Sequence, residues 1–257
     1  MKQKIENLNK YRFLMMELVK KDIKLKYRRS YIGYIWTLLE PLLTMVVLTV
    51  VFSTFYGRED QLFPVYVLTG RLLYSFFANS TKAAMKSIRQ NGKMIKKVYV
   101  PKYIYPLSSV LSNFIIFLLS LIVLVGVSAV LGMRPTPMLF FIVVPLFLLL
   151  VMTVGAGLIL STLAVFFRDL EYLWGVILML VMYSSAIFYD IKMLDAPARM
   201  LVRMNPLYLI IENFRNAVYG DPIDQYALLV SAAVSFLSLL IGVLLFYKKQ
   251  DKFILNI

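Results

Sequence analysis

Two charged side chains fall inside long apolar runs, Glu40 and Arg71, and they are where chemistry would first be sought. Intramembrane charge is costly, so it marks a substrate path, a proton relay or a buried pair. A proton-coupled carrier usually needs several buried acids, and one Glu is a thin supply. At about 1.5 Å per residue, Glu40 lies roughly 12 Å from the start of its run, and Arg71 roughly 12 Å into the next, antiparallel one. Their levels differ by only about 6 Å on that geometry, a gap the long Arg side chain can close. The spacing predicts an ion pair pinning the two helices, with direct contact to substrate as the other reading. Pro41 follows Glu40 and predicts a bend there.

Arg168, Asp169 and Glu171 form a second charged group, in a short turn between two apolar runs. They read either as a juxtamembrane cluster that stops both helices or as a contact for a soluble partner. The aromatics Trp36, Phe76, Phe77, Trp174 and Tyr183 serve packing or lipid contact, or line a path, since aromatic faces stack on sugar rings. The absences narrow the field further. The chain has no Cys and no His, which removes thiolate chemistry, Cys-bound metal and the usual general base. No Ser nucleophile elbow, no Gly-rich dinucleotide loop and no G-x-x-x-x-G-K-[ST] phosphate loop is present. The expectation is that this chain binds no cofactor or metal, and that the energy for any work it does comes from elsewhere.

The elements that must position these residues are apolar blocks. Of 257 residues, 60% are hydrophobic and 16% charged, against about half and a quarter in a soluble domain. About 20 apolar residues cross the bilayer core, and six candidate spans follow: Ile32 to Phe55, Phe63 to Asn79, Pro106 to Leu131, Met138 to Phe166, Leu173 to Tyr189 and Tyr226 to Tyr247. Lys and Arg crowd into the N-terminal segment, the link from Lys82 to Lys102, the turn at Arg168 and the tail. Together these hold 21 of the chain's 28, while the alternate links hold six. By the positive-inside rule, both termini are cytoplasmic. The net charge of +14 therefore speaks for a membrane surface rather than nucleic acid. No apolar h-region precedes the first span, so no cleavable signal peptide is expected.

Three segments are expected to be something other than plain spans. Residues 1–31 place Tyr11, Leu14, Met15, Leu18 and Leu25 at helical spacing among lysines, the pattern of a cytoplasmic amphipathic interface helix; residues 32–257 form the membrane domain. The link from Lys82 to Pro101 carries Met85, Ile88 and Ile95 on one side and an Asn91-Gly92 turn in its middle. It reads as a short helix, a turn and a second, basic helix. The stretch from Asp190 to Gln225 is too long for a turn and predicts re-entrant or interfacial external helices. The fold class is an all-α integral membrane protein.

With these residues in view, the chain resembles the ABC-2 type polysaccharide exporter permeases, membrane subunits that move O-antigen, teichoic acid, capsule or rhamnan chains. The resemblance rests on Lys20 to Ser30 with Gly33, Trp36 and Pro41; Thr69-Gly70 with Phe76-Phe77; Ile95-Lys96-Lys97-Val98 with Pro101; Phe167-Arg168-Asp169; and Asn205-Pro206-Leu207 with Arg215. Two departures stand out: no Pro between Ser184 and Ile187, and Arg71 where an apolar residue is usual. The resemblance implies a homodimer bound to two ATPase subunits, with a channel for a lipid-linked glycan at the dimer interface. It implies that Met85, Lys86, Ile88, Arg89, Gln90, Asn91 and Gly92 form a coupling helix that docks into the ATPase. Lys93, Lys96, Lys97 and Lys102, with Arg28 and Arg29, would then gate the path near the lipid headgroups. Trp36, Glu40, Arg71, Phe76, Phe77 and Tyr183 would line it. The alternatives are an ABC-2 exporter of a drug or small lipid, a membrane enzyme acting on polyprenyl phosphates, and a channel or ion-coupled carrier.

Overall fold

The computed structural model describes residues 2–28, 31–56, 61–97 and 100–256, and among them there is no strand. Eleven α-helices are present among those residues: α1 Lys2–Tyr27, α2 Trp36–Tyr56, α3 Phe63–Gln90, α4 Gly92–Lys97, α5 Ile104–Val130, α6 Val143–Phe166, α7 Leu170–Tyr183, α8 Ala196–Arg203, α9 Pro206–Tyr219, α10 Gln225–Lys249 and α11 Phe253–Asn256. Short 3-10 turns lead into α2 (Gly33–Ile35) and α6 (Pro137–Ile142). Four helical stretches are long and apolar enough to cross a bilayer: Gly33–Ser53, Ile104–Val130, Pro137–Phe166 and Gln225–Lys252, with Leu170–Tyr183 a shorter apolar helix.

The central element is α3, which packs against α2, α5, α6, α7 and α9. Val65, Leu68, Leu72, Leu73, Phe76 and Phe77 are buried in its upper half, and Ala84, Met85 and Ile88 in its lower. The sequence predicted a span ending at Asn79 and a separate coupling helix after it. Instead one helix runs unbroken to Gln90 and then turns at Asn91, where the Asn91 side-chain amide donates to the Ser87 carbonyl at 2.9 Å. Nothing after Asn79 breaks a helix, and the buried side chains below it extend the same packed face.

Small residues allow a close crossing between α6 and α10. A Cβ on Gly242 would stand 2.6 Å from the Gly155 carbonyl oxygen, and one on Gly155 would strike the α10 backbone at Ser238 and Leu239. In lipid, where apolar contact alone drives no association, such backbone approach supplies the dispersion contacts that hold helices together.

The N-terminal segment is helical, as its spacing predicts, but its apolar side is not left for lipid alone. Leu18 is buried against Ile88, Ile104, Phe246 and Phe253, and Tyr11, Leu14 and Met15 pack on the same cluster. Only Phe13, Met16 and Leu25 keep large exposed apolar surface among its described side chains. The Ser109 hydroxyl donates to the Asp22 carboxylate at 3.5 Å, tying α1 to α5. Burial against α5 raises the Asp22 pKa, with Lys21 and that hydrogen bond pulling it back down. Between Asp190 and Gln225 stand α8 and α9, and α9 is buried along most of its length.

Candidate functional site: a polar cavity among the apolar helices

Three helices, each mostly apolar, contribute a polar stripe at helical spacing. On α2 the stripe is Thr37, Glu40 and Thr44; on α3 it is Arg71, Ser75 and Asn79; on α5 it is Asn113 and Ser120. Residues three, four and seven or eight apart share one face of a helix, so each stripe points one way. All three point into the same cavity, which Lys26 and Tyr27 from the end of α1 also line. Its volume is about 60 Å³, room for a few waters by the usual yardstick.

Pro41 explains one wall. Helix α2 continues through it, and a proline lacks the N–H that would serve the carbonyl four residues back. That carbonyl belongs to Thr37, and the Ser120 hydroxyl of α5 donates to it at 3.1 Å. A freed backbone group inside an apolar environment must find such a partner.

The expected ion pair is not formed. Glu40 and Arg71 line the same cavity, but among the described residues no salt bridge joins them. Arg71 instead reaches α7, where Nη1 stands 3.8 Å from Met182 Sδ, and its guanidinium lies 5.8 Å from the Tyr74 ring. Equal depth along two helices does not make two side chains turn toward each other, and these face across a cavity. Glu40 acts electrostatically on Lys26 and Tyr27 instead. Burial, with help from the Glu40 carboxylate, pushes the Tyr27 hydroxyl up to about 12, so it remains a neutral donor.

Of the other residues expected on a path, Phe76 joins the cavity wall. Phe77 is buried on the side of α3 that meets Trp174, its ring centroid 6.3 Å away. Trp36 and Tyr183 stay on the outside, 40% and 57% exposed. Ser75, Asn79, Asn113 and Ser120 were missed. Their signal was present in the sequence as polar residues recurring at one helical phase within apolar runs.

A ladder of polar contacts runs along the seam between α3 and α7. The Tyr66 hydroxyl donates to the carbonyls of Ala186 and Tyr189 at 3.0 and 2.7 Å. Tyr74 donates to the Leu178 carbonyl at 2.9 Å, and the Trp174 indole N–H to Thr81 Oγ1 at 3.1 Å. At the lower end Glu171 accepts from Arg89 and pairs with Lys86 at 3.1 Å. The Arg168–Asp169–Glu171 turn therefore holds α3 to α7 through Glu171, while Arg168 and Asp169 stay exposed.

The residues expected to dock a partner divide. Met85 and Ile88 are 1% and 0% exposed, Met85 against Leu160 and Ala164, Ile88 against Leu18 and Ile104. Their apolar stripe is core of this chain, which corrects the expectation that it is offered to another protein. The open side of that end carries Lys82, Lys86, Gln90 and Lys93. Asn91 accepts from Lys21 of α1, and Gly92 is buried. Among the gate residues Lys93, Lys96, Lys97 and Arg28 are exposed, while Lys102 donates to the Gln250 carbonyl at 2.7 Å. Arg29 lies outside the described residues.

At the far end of α3, Arg215 is 6% exposed. Nε donates to Thr69 Oγ1 at 3.3 Å, and Nη1 and Nη2 to the Ala186 and Tyr66 carbonyls at 3.1 Å each. The guanidinium lies 3.5 Å from the Tyr66 ring centroid. Ala186, at φ 45°, turns the chain after α7 so that its carbonyl meets both Tyr66 and Arg215. Asn205 caps α9 by accepting from Leu207 N–H and donates to Ser184 and Ser185. The Thr69-Gly70 and Asn205 to Arg215 motifs, far apart in sequence, thus build one knot.

The described helices and the polar cavity between three of them make this an all-α, multi-pass membrane protein. The ABC-2 type transporter family matches residues 14–219, and the chain belongs to that family. It is similar to the O-antigen export system permease protein RfbA of Myxococcus xanthus, 27% identical over 252 residues and 97% of each chain. It is also similar to the RfbA permease of Klebsiella pneumoniae, 28% identical over 242 residues and 93% of each. The capsule polysaccharide export inner-membrane protein CtrC of Neisseria meningitidis is 24% identical over 214 residues, 81% of this chain and 80% of that one.

Proposed function

We propose that this chain is the permease subunit of an ATP-driven exporter that moves a lipid-linked surface polysaccharide, such as O-antigen, teichoic acid or capsule, out through the cytoplasmic membrane. The observation that carries this is the match to glycan export permeases across nearly the whole of both chains. In this reading the six spans are α2, α3, α5, α6 with its leading turn, α7 and α10. Both termini and the lysine-rich end of α3 are cytoplasmic.

The working unit is a homodimer with two ATPase subunits, which hold the ATP and Mg. Exposed apolar side chains on α2 (Leu43, Val46, Val47, Val50) and α7 (Leu173, Val176, Leu180) supply surface for lipid and for a second copy. The ATPase docks on the open side of the end of α3, at Lys82, Lys86, Gln90 and Lys93. Its motion reaches α7 through Glu171.

The test is a strain lacking the gene. Lipid-linked glycan should accumulate inside the cell, and surface glycan should return when this chain is expressed with its ATPase. Unchanged surface glycan in the deletion strain would refute the reading, and loss of drug efflux alone would move the chain to the drug-exporting branch of the family.

A further inference from the structure

The cavity among α2, α3 and α5 holds two cations, Lys26 at its mouth and Arg71 in its wall, against one carboxylate, Glu40. Among the described residues Arg71 has no carboxylate partner, only a thioether and a ring. A guanidinium held among apolar helices without a counter-ion is costly. That cost falls once an anion sits against it with hydrogen-bonding geometry. Ser75 and Asn79 stand one and two turns along the same face of α3, and Asn113 faces them from α5, so neutral donors complete the wall. We propose that this cavity is an anion site for the phosphate group of a lipid, reached from the leaflet beside α1, with Arg71 and Lys26 as its two cationic contacts.

The parts fit that occupant in size and position. A phosphate has five heavy atoms, and the free volume is that of a few waters. Lys26 belongs to the helix preceding the first span, where lysines sit at headgroup level. Arg71 waits deeper, about 12 Å from the outer start of α3. A headgroup entering beside Lys26 is drawn inward toward Arg71 while its apolar chain stays in the bilayer. Glu40 supplies negative charge beside Lys26 when the site is empty and repels the phosphate when it arrives. Removing that carboxylate should therefore tighten binding, which a purely structural Glu40 would not do.

The inference rests on the reading of the chain as an exporter of lipid-linked glycan. Its test is a binding measurement that stands apart from export. The purified chain in phosphatidylcholine nanodiscs is titrated with farnesyl monophosphate, with farnesol and with inorganic phosphate. Farnesyl monophosphate should bind, inorganic phosphate should compete only weakly, and farnesol should not bind. Arg71→Gln and Lys26→Gln should each weaken binding by about tenfold or more. Arg71→Lys should retain most of it, and Glu40→Gln should strengthen it.

Unchanged affinity in correctly folded Arg71→Gln protein would overturn the site. Farnesol binding as tightly as its phosphate would show apolar recognition only. Inorganic phosphate binding as tightly as the lipid would place a free anion there instead. If Arg71 proves necessary for binding while deleting the gene leaves surface glycan unchanged, the site stands and the export reading falls.

Discussion

Arg215 shows how much one side chain can organise when its partners come from distant segments. Truncating it to Ala would remove three hydrogen bonds from a buried charged donor, at roughly 1.5–3 kcal/mol each. Arg215→Ala is therefore expected to lower the thermal midpoint and the monodisperse yield sharply, with Arg215→Lys less harmed. A Cβ on Gly70 would stand 2.6 Å from Arg215 Nη2, so Gly70→Ala disturbs the same knot. The double variant should lose less than the two single losses added, because one network is broken twice. Strict additivity by thermal denaturation would deny the coupling. Glu171 poses a different question. It is 29% exposed, and Lys86 46%, and such pairs contribute about 0–1 kcal/mol. Glu171→Gln should fold at normal yield yet uncouple ATP turnover from export; full export at the normal rate per ATP would remove Glu171 from the transmission route. The sequence showed which side chains were charged and roughly how deep they lay. It could not show which way they turned, and so Glu40 and Arg71 read as a pair when they face across a cavity.

Helices were legible where apolar runs were long. The first, third, fourth and sixth predicted spans coincide with α2, α5, α6 with its leading turn, and α10 to within a few residues. α7 stops at Tyr183, six residues before the predicted end, because Ser184 to Tyr189 leave the helix to meet Tyr66, Asn205 and Arg215. The lower part of α3 was misjudged for a physical reason: a lysine-rich amphipathic stretch looks the same whether its apolar side meets lipid, a partner or its own chain. Here it meets its own chain, and a substitution separates the cases. Ile88→Asp places a charge where the side chain is fully buried, at a cost of several kcal/mol. It should abolish folded protein rather than merely detach an ATPase. Lys86→Glu and Gln90→Glu, on the exposed side, should leave the fold intact and weaken co-purification with the ATPase. Normal folding of Ile88→Asp, read by size-exclusion profile, would put the burial of Ile88 in error. At the α6–α10 crossing, Gly155→Ala should force the backbones apart and lower the thermal midpoint, since its Cβ would strike backbone rather than a movable side chain.

At the scale of the whole molecule, α3 decides how the chain threads the bilayer. By composition alone α3 is not among the helices apolar enough to cross. Yet its 28 residues span about 42 Å, more than the roughly 30 Å hydrocarbon core. Most polar residues in its upper part meet other helices: Arg71 and Ser75 line the cavity, and Tyr66, Tyr74 and Thr81 face α7 and the turn after it. A helix packed against protein on most sides has little need of a lipid-compatible surface, so its composition is compatible with a crossing. If α3 crosses, six spans put every lysine-rich segment on one side; if it does not, the 82–102 link and the N-terminal segment fall on opposite sides, against the charge rule. Because the chain has no Cys, single introduced cysteines report their side without background. Arg134→Cys, after α5, and Lys192→Cys, after α7, should react with a membrane-impermeant maleimide on intact cells. Lys93→Cys and Lys249→Cys should react only after the membrane is opened. Lys93→Cys labelled from outside would mean that α3 returns to the face it started from, and the six-span reading would fall with it.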